Sequence, residues 1–310
     1  LGTVTDGDIR RALIKHAPMD CTIKKIMNDS PMTALLSDGS EIIMSKMKNM
    51  GLLHIPLVDD KYTLVGLETL HHLLCKKTYD NPVFIMAGGF GTRLHPLTEK
   101  TPKPLLYVGN RPILEIIIKQ FIEAGFHNFY LSTHYKAEMI HDHFGDGSNW
   151  GVKIEYLHEG IPLGTAGSLG LLPDNIPDLP IIMMNGDLLT KVNFEHLLDF
   201  HQEQTGLATM GVREYDFQVP YGVVAIEGQY ITGIVEKPVQ KFFVNAGIYV
   251  LDRKIINHID GESYLDMPNL LEFQIEKGEK VSVFPIHEYW LDIGRMEEYE
   301  SAQQDIMKFK

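Results

Sequence analysis

The sequence predicts an α/β protein: a mainly parallel sheet carrying an antiparallel insertion, preceded by a small α+β module. Three observations carry this expectation. Between residues 83 and 204 short apolar runs alternate with helical stretches, which is the pattern of βαβ units. From Leu207 to Gly233 the pattern turns to strands broken by glycine, which suits antiparallel pairing. Before residue 76 the segments are shorter and run helix, strand, turn, strand, helix. A chain of 310 residues is long enough for about two such domains.

In order, Ile9–Lys15 and Ile42–Met50 read as helices, Ile55–Val58 and Leu64–Gly66 as strands, and Leu67–Cys75 as a helix. Lys76–Pro82 is polar and ends in proline, so it reads as a linker between a module at 1–78 and a domain at 82–310. The domain opens with a strand at 83–87. A helix at 112–124 follows, started by Pro112 and stopped by Gly125. Strands at 128–133 and 153–158, a helix at 165–171, a strand at 180–185 and a helix at 194–204 continue the alternation. Tyr221–Ile226 and Tyr230–Glu236 flank Glu227-Gly228-Gln229 as a hairpin.

Composition removes several function classes. No apolar run approaches the ~20 residues needed to span a bilayer, and the first residues lack the basic and apolar regions of a signal peptide. Two cysteines, Cys21 and Cys75, permit one disulfide at most, so the chain suits a reducing cytoplasm. Residues 1–80 hold ten basic and ten acidic side chains, which leaves the entire net charge of −13 in residues 81–310. A nucleic-acid partner, which needs a basic face, is not expected there.

The strongest local signal is Met86-Ala87-Gly88-Gly89-Phe90-Gly91-Thr92-Arg93-Leu94, followed by Thr101-Pro102-Lys103-Pro104. A strand feeding glycines lets backbone N–H groups approach a phosphate, and Arg93 and Lys103 add positive charge against a triphosphate. The dinucleotide fingerprint fails because its last glycine position is Leu94, and the P-loop fails for want of Gly-Lys-Ser/Thr. Ala166-Gly167-Ser168-Leu169-Gly170 has alanine where a nucleophile elbow needs glycine. Asp187, after the strand at 180–185 and Asn185-Gly186, puts a carboxylate at the carboxyl end of a parallel strand, where α/β sheets bind ligands. Asp187-Leu188-Leu189 lacks the Asp-x-Asp of many glycosyltransferases. His71, His72 and Cys75 share a predicted helix, but without further ligands at zinc spacing they read as a helix face.

Gly88-Gly89-x-Gly91-Thr92-Arg93-Leu94 with Pro102-Lys103-Pro104 resembles the signature of the sugar-1-phosphate nucleotidyltransferases. Further blocks match in order: Leu163-Gly164-Thr165-Ala166-Gly167-Ser168, Asn185-Gly186-Asp187, Glu236-Lys237-Pro238, Asn245-Ala246-Gly247 and Trp290-Leu291-Asp292-Ile293-Gly294. The resemblance covers residues 83 to about 305. It implies a Rossmann-like nucleotidyltransferase fold and a reaction joining NTP and sugar 1-phosphate into NDP-sugar and pyrophosphate. By the same resemblance Ala87, Gly88, Gly89, Gly91 and Thr92 cradle the triphosphate, with Gly164 and Thr165 near base or ribose. Arg93 holds the departing phosphates, Lys103 contacts the α-phosphate region, and Asp187 and Asp292 hold Mg²⁺. Lys237 takes the sugar phosphate, Glu236 and Asn245 bond sugar hydroxyls, and Gly167 and Gly247 leave room for the ring. The Leu163–Ser168 block looks closest to guanylyltransferases, which favours GTP with a hexose or hexosamine 1-phosphate. A dTTP-, UTP- or CTP-dependent member stays open, as does a nucleotide sensor with an inactive transferase domain.

Gly2-Thr3-Val4-Thr5-Asp6-Gly7-Asp8 resembles the end of a CBS motif, in which a Thr and an Asp three residues later hold a nucleotide. Residues 22–75 resemble a second, complete copy, with Met27-Asn28-Asp29-Ser30-Pro31, Ile55-Pro56-Leu57-Val58-Asp59 and Leu64-Val65-Gly66-Leu67; it has Thr69 but His72 where the Asp belongs. The resemblance implies an adenine nucleotide at Thr5 and Asp8, or a module that only dimerises the enzyme. A homo-oligomer is expected. Because the chain opens inside the first motif, it reads as a fragment of a longer product.

Overall fold

The computed structural model describes residues 2–18, 20–74, 77–257 and 259–306, with the side chains of Asp6, Glu41, His71 and His72 outside the description. The chain divides into two compact units, Leu1–Lys77 and Thr78–Lys310.

In the first unit α1 (Asp6–Ile14) begins with a capping box, Thr5 and Asp8 each bonding the other's backbone. β1 (Ala34–Leu35), β2 (His54–Val58) and β3 (Leu64–Thr69) form a three-stranded sheet. Against it pack α2 (Ser40–Met50), ended by Gly51 in the left-handed conformation, and α3 (Leu70–Leu74). The helix expected from Leu67 starts at Leu70 because Leu67–Thr69 pair with His54–Pro56 in β3. Cys75 and the His71 and His72 side chains lie outside the described residues.

The second unit holds a seven-stranded sheet. Its members are β4 (Tyr79–Met86), β7 (Phe126–Thr133), β8 (Lys153–His158), β9 (Ile181–Asn185), β11 (Ala208–Gln218), β14 (Val239–Leu251) and β15 (Val281–Pro285), in the order β15-β11-β14-β9-β4-β7-β8. Pairings β4 with β7 and β9, β7 with β8, and β11 with β15 are parallel; β14 runs antiparallel to β9 and β11. The sheet is mainly parallel, as the alternation predicts. Short pairs β5 (Tyr107–Val108) with β6 (Arg111–Pro112) and β10 (Leu188–Thr190) with β16 (Trp290–Asp292) lie outside it, as does the hairpin β12 (Val223–Glu227) and β13 (Tyr230–Val235).

Side-chain alternation along the central strands builds two cores. Val83, Ile85, Ile182 and Met184 meet α4 (Ile113–Glu123), α5 (Ala137–Phe144) and α7 (Phe194–Gln204) through Ile117, Phe121, Phe144 and Leu197. Phe84, Ile181 and Met183 meet α8 (Arg253–Ile256) and α9 (Met267–Glu276) on the other side. α6 is a single turn, Gly164–Gly167, continued as a 3₁₀ turn to Leu171, and α10 (Met296–Asp305) closes the described chain.

Two departures from the sequence expectation have physical reasons. The strand expected at 83 begins at Tyr79, so most of the expected linker is sheet. Pro82 is tolerated because the ladder with β9 starts only at Val83 and the β7 pairing is irregular between Tyr79 and Pro82. β14 was not anticipated beyond its Asn245-Ala246-Gly247 motif. Its first half is exposed, and its register shifts opposite Gly211, where Gly247 takes φ +69°.

Candidate active site

The carboxyl ends of β4, β8 and β9 open on one cavity of about 290 Å³. Ala87, Gly88, Gly89, Lys103, Gly164, Thr165 and Asp187 all line it. A larger hollow of about 530 Å³ belongs to the first unit, where Asp8, Arg11, Lys15 and Lys25 contribute to its wall. The smaller one collects the motif residues and is the candidate site.

Backbone turns place the glycine-rich loop. Ala87 N–H bonds the Ser132 carbonyl at 2.8 Å, carrying the β4–β7 pairing one residue past the strand. A Cβ on Gly88 would lie 2.9 Å from Glu159 Oε1, and Gly91, at φ +63°, leaves room for Thr98 and the Lys103 stem. Gly89 is exposed with open space around its Cα, and Thr92 starts the 3₁₀ turn that carries Arg93. Pro102 and Pro104 flank Lys103, which is only 8% exposed. Its ammonium pairs with Asp187 Oδ2.

Asp292 joins this group through strand pairing. Leu188 of β10 sits opposite Asp292 of β16, and Ile293 N–H bonds the Asp187 carbonyl at 3.1 Å. Burial and the neighbouring Asp187 raise the pKa of Asp292, against the pull of Lys103 and Arg93. The Arg93 guanidinium passes 3.6 Å from the position of a Gly294 Cβ, next to Asp292. Buried Oδ1 atoms of both Asp187 and Asp292 have no hydrogen-bond partner. Orphaned carboxylate oxygens side by side fit a hard divalent cation, and phosphate oxygens and water would complete its shell. Among the described residues no group of three or more His, Cys, Asp or Glu offers a metal site.

Three motif blocks converge here. Trp290 Nε1–H donates to the Ala246 carbonyl at 2.8 Å, and Gly247 makes room for Asn185, whose amide would be 2.6 Å from a Cβ there. Asn245 spends its amide on the bulge, donating to Tyr249 Oη at 2.6 Å and accepting from Gly247 N–H at 2.9 Å. Glu236 and Lys237 are not brought to the cavity. They lie exposed where β13 passes into β14, with Lys237 at φ +45° ahead of Pro238. Gly167 is buried against Ser263, whose carbonyl would be 2.7 Å from its Cβ, so the space its missing side chain leaves is filled by protein.

Sequence reasoning missed several cavity residues. Glu159 is 7% exposed; Ser132 Oγ–H donates to its Oε1 and Leu163 N–H to its Oε2 at 2.9 Å. Like Asp187, it follows a parallel strand at its carboxyl end, so the same rule would have found it. Asn185, Tyr264 and Asp266 also line the cavity. Buried Glu298 Oε2, at the start of α10, is a further unpartnered acid that pushes up the Asp292 pKa. Thr5 and Asp8 bond each other, and Arg11 pairs with Asp8.

A family model described as Nucleotidyl transferase matches residues 83–308. The chain belongs to this family. It is 35% identical over 231 residues to a probable mannose-1-phosphate guanylyltransferase 1 of Oryza sativa subsp. japonica, covering 69% of this chain and 62% of that protein. Over 238 residues it is 29% identical to a mannose-1-phosphate guanylyltransferase of Mycobacterium tuberculosis, covering 74% and 66%. The chain thus spans about three fifths of the rice nucleotidyl transferase. Among solved structures, HddC from Yersinia pseudotuberculosis complexed with GMP-PN superposes with a TM-score of 0.58 at 28% identity, over 74% of this chain and 100% of that one. A putative glucose-1-phosphate thymidylyltransferase from Bacillus anthracis, with TM-score 0.59 at 22% identity over 72% and 94%, shares the fold. No helix among the described residues is long and apolar enough to cross a membrane.

Proposed function

We propose that this chain transfers a guanylyl group from GTP to a hexose 1-phosphate, mannose 1-phosphate foremost, releasing pyrophosphate. The observation that carries the reading is the grouping of Lys103, Asp187 and Asp292, the first two of which line a cavity together with Gly88 and Glu159. An oxygen of the sugar phosphate attacks the α-phosphorus, and the bond to the β-phosphate breaks. No covalent enzyme intermediate is needed, so catalysis is positioning and charge neutralisation. Lys103 faces the α-phosphate, Arg93 steadies the departing pyrophosphate, and Asp187 with Asp292 hold Mg²⁺. When bound, that ion fixes phosphate oxygens and offsets their charge. Lys237 serves the sugar phosphate after its exposed arm approaches the cavity.

Glu159 supports guanine. Two fixed carboxylate oxygens match the adjacent N1–H and N2–H donors of guanine. Uracil and thymine instead put a carbonyl oxygen on each side of their single N–H, which the carboxylate repels. The Oryza and Mycobacterium relatives are named for GTP-dependent transfer to mannose 1-phosphate, in agreement with this chemistry. A matrix of five NTPs against sugar 1-phosphates, read by pyrophosphate release in wild type and Glu159→Gln, tests the proposal. GTP should be preferred in wild type, and the preference should shrink at least tenfold in the variant. Equal use of UTP by wild type overturns the guanine assignment.

A further inference from the structure

Glu159 reads an edge of the base, but a base also needs a face to lie against. Two aromatic side chains line the cavity, Phe90 and Tyr264. Phe90 is already engaged, edge-on to His134 at 5.3 Å and tilted on Tyr135 at 5.7 Å between ring centroids. Tyr264 is 64% exposed, and among the described residues no aromatic partner covers its ring. A largely bare aromatic ring facing a cavity is unusual for a side chain whose position is so firmly fixed.

That fixing comes from both ends. The Tyr264 hydroxyl donates to Asp266 Oδ2 at 2.8 Å. Asp266 Oδ1 accepts from Thr165 N–H at 3.0 Å and from Thr165 Oγ–H at 3.2 Å, and Thr165 Oγ1 accepts from Met267 N–H at 2.7 Å. On the backbone, Leu265 N–H bonds the Leu163 carbonyl at 2.9 Å, and the Leu265 carbonyl accepts from Ala166 and Gly167 N–H at 2.8 and 3.0 Å. Upstream, Asp260 accepts from Glu262 N–H, Ser263 N–H and Ser263 Oγ–H, locking the turn before the tyrosine. Gly164 must be glycine here, since its Cβ would meet the Leu265 carbonyl at 2.6 Å. The loop bearing Tyr264 is therefore stitched onto the Gly164–Gly167 block.

From this geometry we infer that Tyr264 is the stacking wall of the nucleotide site, with Asp266 as the residue that positions it. The inference rests on the nucleotidyl-transfer reading of the cavity. Stacking on a preset ring costs little side-chain entropy on binding, because the hydrogen bond to Asp266 has already fixed the tip. A purine gains more from such a wall than a pyrimidine because it offers the larger face. The phosphate end at Lys103 and Asp187 does not depend on it.

The test is calorimetric binding of α,β-methylene-GTP, which cannot be cleaved at the reacting bond, with tripolyphosphate as a probe of the phosphate end. Both are measured with Mg²⁺ on the full chain. Tyr264→Ala should weaken the nucleotide analogue about tenfold or more while tripolyphosphate binding is kept. Tyr264→Phe keeps the ring and should retain most of the affinity. In turnover, the Ala variant should raise the KM for GTP more than it lowers kcat. The high exposure of Tyr264 makes loss of folding in either variant unexpected, and circular dichroism checks it. Wild-type affinity in Tyr264→Ala overturns the proposal. So does an equal loss of both ligands in the Ala and Phe variants, which marks a loop tether and not a wall. If wild type instead prefers a pyrimidine analogue and Tyr264→Ala still loses it, the wall stands and the guanine assignment falls.

Discussion

Lys103→Ala separates the two jobs its ammonium does. In the ligand-free protein the ammonium neutralises Asp187 and, at longer range, Asp292. Removing it leaves two neighbouring carboxylates, with Arg93 still acting on Asp292. Breaking a fully buried ion pair costs about 3–5 kcal/mol. The Asp187 side chain is 25% exposed, so solvent screens part of this and roughly 1–2 kcal/mol is expected. For a unit of this size that lowers Tm by about 2–8 °C. In the proposed reaction the same ammonium would face charge developing on the transferring phosphoryl group. Loss of one such contact costs about 3 kcal/mol, on the order of 100-fold in kcat.

The two effects respond differently to Mg²⁺. Saturating Mg²⁺ supplies the missing positive charge between Asp187 and Asp292, so the Tm deficit of Lys103→Ala should shrink. The rate deficit should stay, because an ion held as proposed by the two carboxylates would not take the position of the ammonium. Thermal unfolding and pyrophosphate-release kinetics, each with and without Mg²⁺, measure both quantities. Wild-type kcat in the variant at saturating Mg²⁺ and GTP would refute the assignment, and so would full recovery of rate alongside Tm.

Other consequences follow from the same geometry. Asp187→Asn should abolish most turnover and lower metal-free stability, since the buried Lys103 ammonium loses its ion-pair partner; a Tm scan and a rate measurement check it. Lys237→Ala should raise the KM for sugar 1-phosphate more than that for GTP, and equal effects would assign Lys237 to the nucleotide. Burial holds the pKa of His201, which is 4% exposed, and of His141 below the usual histidine value. Neutral in the native state, both bind protons more readily when unfolded, so stability should be full above pH ~6.5 and fall as pH drops below it. His201→Gln should flatten that decline in Tm measured from pH 7.5 to 5.5, and an unchanged slope would exclude His201 as a contributor.

How much of this was legible depends on what made each signal. The strand at 153–158 and the helix at 194–204 are found where the sequence puts them, because each is a clean apolar period bounded by a turn residue. Pro82 misled because proline reads as punctuation, and only the sheet shows that its missing N–H falls before the β9 ladder. β14 was hidden by a bulge in mid-strand, where a left-handed Gly247 interrupts the alternation. The pair Thr5 and Asp8 carries two meanings at once. Its spacing resembles a nucleotide-binding motif, but Thr-x-x-Asp is also a capping box, and in the structure the two residues cap α1.

The cavity was legible where chemistry sits on glycine-rich or proline-flanked motifs and illegible where it rests on a residue's place in space. Glu159 stands in no motif; its place after a parallel strand is its one sequence signal, and the joint approach of Ser132, Leu163 and Gly88 marks it out in space. Tyr264 and Asp266 lie about a hundred residues beyond the block they serve. The glycines explain why that distance is bridged. Gly167 is expected to leave room for the sugar ring and Gly164 to lie near base or ribose, yet their missing side chains make room for Ser263 and Leu265. A glycine in such a block thus has two possible clients, a substrate or a second segment of chain. Here the second segment carries the Tyr264 ring, so glycines whose missing side chains are filled by protein still shape the wall of the cavity.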